Sequence, residues 1–392
     1  MREKLLEIAN KYGTPVYVYD LQKITSQYKK LKKSFKIDVK IKYACKALSN
    51  IAILKHMKNL GSGLEAVSIE EINLGIIAGF KPSEIVYTPS SASFEDIEYA
   101  LKKGVDVNIE DLQNLEEVGK KYGSKYFVGI RINPSVLAGG NKKISTGHAD
   151  SKFGIPSTQI KDILKIVKKY DLKVKGLHIH TGSDIYDVAK FMRAANVIFE
   201  LSHNFDELKY LDLGSGFKVK YKQDDKQTNL QKLGQEISKK YKSLNKKIEI
   251  WLEPGKFLVS EAGYFLVNVN TIKRTSKKIF VGVNSGLNHL IRPMFYDAYH
   301  EIKNISNLKG VKKEYDVVGY ICEEDTFAKK RIISNIRKND VLCFYNAGAY
   351  CYMMASNYNS KPRPAEVIIN KDKIKLIRKR ESFEDLIRNQ LY

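Results

Sequence analysis

The sequence predicts an α/β fold, a (β/α)8 TIM-type barrel joined to a second, mainly β domain of β-barrel or sandwich form. Three observations predict it. The chain has 392 residues, more than one hydrophobic core normally serves, so two domains or a large barrel with an appendage are expected. Between residues 39 and 252, eight short apolar runs alternate with amphipathic stretches of helical period. Parallel strands need a helix-sized crossover, so the alternation implies a parallel sheet, and eight repeats in about 220 residues match a closed barrel. After Glu253-Pro254-Gly255 the texture changes to strand-like runs with little long helix between them. The expected domains are residues 14–257 for the barrel and 1–13 plus 258–392 for the β domain. A doubly wound open sheet is the alternative that alternation alone leaves standing.

A short helix is expected over 5–11, ended near Gly13 and Pro15. The barrel strands are read at 39–45, 63–67, 84–88, 105–109, 126–132, 174–180, 210–213 and 249–252. Helices between them include 51–59, 69–79, 111–122, 157–170, 187–201 and 230–244. The β domain is read from runs at 264–272, 278–284, 314–320, 340–345 and 365–369. A closing helix is expected at 382–391, opening on a capping box of Ser382 with Asp385.

Hydrophobic residues make up 43% of the chain, enough for a full core. Net charge is 67 − 44 = +23, but the lysines are scattered over many presumed helix faces and form no single basic tract. That pattern reads as a solvated surface with some pull on anionic ligands, and it argues against nucleic acid as a partner. The four cysteines, Cys45, Cys322, Cys343 and Cys351, form no C-x-x-C pair, and a chain of this length needs no disulfide staples. The N-terminal M-R-E-K-L-L-E-I-A-N mixes charge into its apolar positions, and no run of 18 apolar residues follows. A cytoplasmic, reducing setting without membrane contact is the expectation.

Barrel chemistry sits at the C-terminal strand ends, so those ends form a list of site candidates. The first strand ends in Lys46. Desolvation there penalises its ammonium and favours the neutral amine, a usable nucleophile; a lysine that snorkels to water is the plainer reading. The second strand ends near Glu65 and Ser68, the fifth carries Arg131, and the sixth ends in H-I-H-T-G-S with His178, His180, Gly182 and Ser183. The seventh ends in L-D-L-G-S-G with Gly214, Ser215 and Gly216, the eighth in L-E-P-G-K with Glu253 and Lys256. Glycine turns on late strands let backbone N–H groups approach a phosphate. His178 and His180 share a strand face and allow a metal-binding alternative, but no other histidine falls on a strand tip. A nucleophilic lysine, a phosphate turn, a flat ring and a carboxylate together describe a pyridoxal phosphate site.

These residues give the chain a family likeness. It resembles the fold-type III, or alanine-racemase-like, pyridoxal phosphate enzymes, and among them the diaminopimelate decarboxylase family. The matching pieces run in the family's order: Y-A-C-K-A at 43–47, S-K-F-G-I at 151–155, H-I-H-T-G-S at 178–183, L-D-L-G-S-G-F at 211–217 and E-P-G-K at 253–256. L-I-R-P-M-F-Y-D-A-Y-H at 290–300, V-V-G-Y-I-C-E-E-D at 317–325, G-A-Y at 348–350 and S-N-Y-N-S-K-P-R-P-A-E at 356–366 continue it. The resemblance implies that Lys46 binds pyridoxal 5'-phosphate as a Schiff base and that His180 stacks on its ring. Ser183, Gly214 and Gly216 would hold the phosphate, Glu253 would pair with the ring nitrogen, and Tyr350 would return to the cofactor. Lys256, Arg292 and Tyr296 would contact the distal carboxylate of diaminopimelate. Cys322, near the reacting carbon, and Glu323, near the distal amino group, would come from the other subunit of a homodimer. The implied reaction is decarboxylation to L-lysine, with ornithine, arginine or carboxynorspermidine decarboxylases of the same fold as rivals. A non-catalytic carrier of the cofactor is the rival of another class. The chain departs from the family pattern at Lys256 for arginine, C-E-E-D for C-E-S-G-D, Asn284 for aspartate and G-S-G for three glycines.

Overall fold

A computed structural model describes residues 1–137, 146–148, 150–244 and 246–391. The chain forms two units, one of residues 26–219 and 226–257, the other of residues 1–25, 220–225 and 258–392.

Helix α1 (Arg2–Tyr12) and strand β1 (Val16–Asp20) open the chain, and α2 (Leu21–Lys33) follows directly. The barrel strands are β2 (Val39–Ala44), β3 (Gly63–Ala66), β4 (Ile85–Tyr87), β5 (Asp106–Ile109), β6 (Phe127–Asn133), β8 (Lys173–His178), β9 (Tyr210–Asp212) and β10 (Glu249–Leu252). They pair in the order β5-β4-β3-β2-β10-β9-β8-β6, and β5 pairs β6 to close the ring. Every one of these pairings is parallel. The two-residue β7 (Ile155–Pro156) lies outside the ring, beside β6. The eight runs read from the sequence are these eight strands, and closure excludes the open doubly wound sheet.

Crossover helices α3 (Ile51–Asn59), α4 (Ile69–Ile77), α5 (Phe94–Lys103), α6 (Leu112–Tyr122), α7 (Ile160–Tyr170), α8 (Val188–Leu201) and α9 (Leu230–Lys242) separate the strands, and all but α7 start on a turn with a side-chain cap. The caps are Asn50, Ser68, Ser93, Asp111, Asp187 and Asn229, and each side chain accepts a backbone N–H of the first turn. Such a cap stabilises a helix by about 1 kcal/mol and fixes where each loop after a strand ends. Inside the barrel, Tyr210 stacks on Trp251 with ring centroids 3.7 Å apart, and Lys42 lies 4.2 Å over the indole. Gly176 on the neighbouring strand makes that layer possible, since a Cβ there would stand 2.0 Å from the Tyr210 ring.

The second unit is a mixed sheet. Its strands are β11 (Gly263–Arg274), β12 (Ile279–Val283), β13 (Ile302–Asn304), β14 (Lys312–Val318), β15 (Thr326–Ser334), β16 (Val341–Phe344), β17 (Ala365–Asn370) and β18 (Lys373–Arg378), together with β1. The order is β15-β14-β12-β11-β1-β17-β18, with β16 pairing β11 and β13. β1 runs antiparallel to β11 and parallel to β17, so residues 16–20, read from sequence as part of the barrel segment, lie in this sheet. The last helix, Phe383–Ile387, carries the capping box of Ser382 and Asp385.

Candidate active site

Parallel register brings the barrel strand ends to one level. On β8 and β9, His178 stands opposite Asp212, and on β9 and β10 Asp212 stands opposite Trp251. Lys46 follows β2 in a single 3-10 turn, Cys45–Ala47. Its Nζ pairs with Glu65, the third residue of β3. The lysine side chain is 36% exposed and the glutamate 2%, so the carboxylate sits below and the amine reaches up to the mouth. Burial pushes the Glu65 carboxyl up to about 7 against the pull of Lys46.

Glu253 follows β10 and is buried. Its Oε2 lies 3.0 Å from His178 Nε2. Burial holds the His178 imidazole below its ordinary value, so a neutral ring donates its N–H to an ionised Glu253. Burial would raise the Glu253 carboxyl, but His178 and the charge of Lys46 outweigh it and hold it low. His180 is likewise kept neutral, pushed down to about 3 by burial and then by Lys46. It presents a flat, uncharged ring.

The glycine turn after β9 is pinned on both sides. Glu253 N donates to Gly214 O at 2.9 Å, and Ser215 Oγ donates to Glu253 O at 2.7 Å. Gly214 and Gly216 have φ of 59° and 91°, the left-handed region. A Cβ on Gly216 would stand 2.0 Å from Gly182 O, so the turns after β8 and β9 interlock through glycine. Ser183 borders this turn, and the next residue, Asp184, takes Lys256 Nζ at 2.9 Å on each carboxylate oxygen. Arg131 is buried against Glu110 at 3.3 Å, and Phe153 of the S-K-F-G-I segment lies 4.8 Å from its guanidinium carbon.

In the β unit, Arg292 is buried and donates through Nη1 to Ala349 O at 2.9 Å and to Tyr221 Oη at 3.3 Å. Tyr350, next to Ala349, has φ 60°. Tyr296 packs edge-on to Phe295, with ring centroids 4.6 Å apart. Cys322 and Glu323 are exposed. Asn359 Nδ2 reaches Cys322 Sγ at 3.5 Å, and Tyr358 donates to Glu323.

The residues fit pyridoxal phosphate. Glu253 Oε1 is buried with no donor among the described residues, as a carboxylate awaiting a ring N–H requires. His180 Nδ1 is also buried without a partner among the described residues, and the glycine cradle beside it has no room for a Cβ. The family model for the pyridoxal binding domain of pyridoxal-dependent decarboxylases matches residues 21–260. A diaminopimelate decarboxylase from Methanothermobacter thermautotrophicus is 34% identical over 98% of this chain and 93% of its own length.

The chain belongs to the diaminopimelate decarboxylase family. A second member of that family, from Zymomonas mobilis, is 37% identical over 98% of this chain and 94% of its own. The structure of the Helicobacter pylori diaminopimelate decarboxylase complexed with L-lysine superposes with a TM-score of 0.91 at 34% identity, covering 98% of both chains.

Of the residues predicted from sequence, Lys46, His180, Ser183, Gly214, Gly216, Glu253 and Lys256 lie in the barrel unit, on or just past the strand ends. Arg292, Tyr296, Cys322, Glu323 and Tyr350 lie in the β unit. The partners of Glu65 and His178, and the roles of Asp212 and Asp184, emerge only from the structure. Asp212 had a signal: an aspartate two residues before a glycine, whose side chain accepts the Gly214 N–H at 2.9 Å.

Proposed function

We propose that the chain decarboxylates meso-2,6-diaminopimelate to L-lysine and carbon dioxide, with pyridoxal 5'-phosphate held at Lys46. One observation carries this reading: a lysine, a neutral histidine ring, an interlocked glycine cradle and an ionised carboxylate gather on one barrel. Bound pyridoxal phosphate supplies the electron sink for the pair left when a carboxylate departs as carbon dioxide. Glu253 keeps the ring nitrogen protonated, and His178 keeps Glu253 ionised and oriented. His180 supports one ring face. Ser183 and the Gly214–Gly216 turn hold the phosphate. Glu65 receives the Lys46 ammonium whenever that amine is not bonded elsewhere, which keeps the charge within the barrel.

Arg292 and Tyr296 hold the distal carboxylate, with Lys256 and Tyr350 as further contacts. Arginine's planar fork suits a carboxylate, and a substrate with an amino-acid group at both ends gives it one. Cys322 and Glu323 serve the site of a second copy in a homodimer, a role supported by their exposure on the single chain. Cys322 is then placed to deliver a proton to carbon, and Glu323 to bind the distal ammonium. The setting is cytoplasmic; among the described residues, no helix is long and apolar enough to cross a membrane.

The test uses full-length protein loaded with pyridoxal phosphate. An absorbance band of the lysine-bound cofactor is expected, absent in Lys46→Ala, with carbon dioxide released from meso-diaminopimelate. A band that survives Lys46→Ala overturns the cofactor role. Turnover of ornithine or arginine without turnover of diaminopimelate overturns the substrate.

A further inference from the structure

We propose that Asp212 is a positioning residue that carries a proton inside the barrel and shares it with Glu253, tying the glycine turn after β9 to the carboxylate after β10. Asp212 is the last residue of β9 and has no exposed surface. Its Oδ1 accepts the N–H of Gly214 at 2.9 Å. Its Oδ2 is buried with no hydrogen-bond partner among the described residues, and so is Glu253 Oε1. Ligand-capable atoms of His178, Asp212 and Glu253 all lie within 4.8 Å of one another. Two carboxylates this close, both out of water, do not both stay ionised. A single proton between them gives the orphaned Asp212 oxygen a role and removes one buried negative charge.

The proton resides on Asp212 because its surroundings supply less positive character. Glu253 already takes the His178 N–H at 3.0 Å and feels the charge of Lys46. Asp212 faces His178 from β8, Glu253 after β10, Glu65 from β3 and Lys42 from β2. Lys42 is engaged by Glu84 O at 3.2 Å and by the Trp251 ring. Burial and the Glu253 charge push the Asp212 carboxyl well above the usual carboxylate range, consistent with the geometry. A neutral acid here donates to Glu253 and accepts from Gly214 N–H, so one side chain sets both the phosphate turn and the group assigned to the ring nitrogen. That consequence rests on the cofactor reading; the shared proton does not.

The experiment compares full-length wild type, Asp212→Asn and Asp212→Ala. Asparagine offers an NH2 donor and a carbonyl acceptor in place of the neutral acid's two ends. Infrared difference spectra of wild type against Asp212→Asn should show a protonated-acid carbonyl band in wild type only. Asp212→Asn should bind pyridoxal phosphate within about threefold of wild type, and Asp212→Ala at least about tenfold more weakly. A missing infrared band overturns the proposal. So does asparagine weakening binding as much as alanine, or alanine leaving it unchanged. Stoichiometric metal in wild type, lost in Asp212→Asn, overturns it in favour of a His178–Asp212–Glu253 metal site. Should Asp212→Ala fail to fold, the infrared band and the asparagine affinity still decide. Failure of the cofactor reading shows separately, as a wild-type protein lacking the band that Lys46 creates.

Discussion

Lys256 and Asp184 act as one charge-neutral pair at the loop ends that follow β10 and β8. An arginine, which the family resemblance leads one to expect at this position, would offer a planar fork for two parallel bonds. Here the two bonds come from the acceptor's side, as both oxygens of Asp184 close on one ammonium at 2.9 Å. Asp184 adopts φ 60°, a conformation that asparagine also tolerates. Asp184→Asn therefore keeps the turn and removes the charge. Unfolding free energy should fall by about 1 kcal/mol in urea titrations, because Asp184 remains partly open to water; a loss above about 3 kcal/mol would mark a fully desolvated pair instead. At Asn284, where the resemblance leads one to expect aspartate, the amide has a visible use. It donates to the carbonyl and hydroxyl oxygens of Thr14, at 3.0 and 2.9 Å, which aspartate cannot do. Strand-tip residues such as Lys46 and Glu253 were legible because a charge at the end of an apolar run is conspicuous. Asp184 and Asp212 were not, because short acids in glycine-rich turns ordinarily serve the turn alone.

The turn between β9 and α9 is the element on which the proposed cofactor cradle depends. A Cβ on Gly214 would meet Ile179 O at 2.5 Å and His180 Nδ1 at 2.8 Å, and φ 59° would strain it. Gly214→Ala should lower stability by about 1–2 kcal/mol and weaken pyridoxal phosphate binding about tenfold or more, read by denaturation and by absorbance titration. An alanine variant with wild-type affinity would show that the turn does not cradle the phosphate. The barrel strands were legible because burial on both faces writes them as apolar runs, which capped helices separate. Sheet membership of β1 was not. V-Y-V-Y-D followed at once by a helix has the pattern of a first β/α unit, and its true partners are named only by β11 and β17, far along the chain. β15 and β18 are not legible as strands because lysine and arginine interrupt their apolar pattern, as suits strands at the two ends of a sheet.

At the scale of the whole molecule, the +23 net charge belongs to a lysine-studded surface, with ion pairs distributed over both units. A homodimer with shared sites makes a specific demand. Lys46→Ala and Glu323→Ala chains, each inactive alone, should together recover about one quarter of wild-type activity after subunit exchange, since half the dimers are mixed and each mixed dimer has one intact site. No recovery, with exchange shown independently, would argue that each chain uses its own Cys322 and Glu323. The placement of β1 also reaches into synthesis. Val16 pairs with Ala365, a separation of 365 − 16 = 349 residues. At a ribosomal rate of about 5–20 residues per second, the N-terminal strand leaves the ribosome roughly 20–70 seconds before its parallel neighbour exists. The barrel's own strands finish emerging in that interval. β1, with four of its five residues buried once paired, must meanwhile stay out of the growing sheet beside it. Stalled translation short of residue 365 would therefore release a chain with a finished barrel sequence and one adhesive, unpaired strand, a natural substrate for chaperones that hold nascent chains.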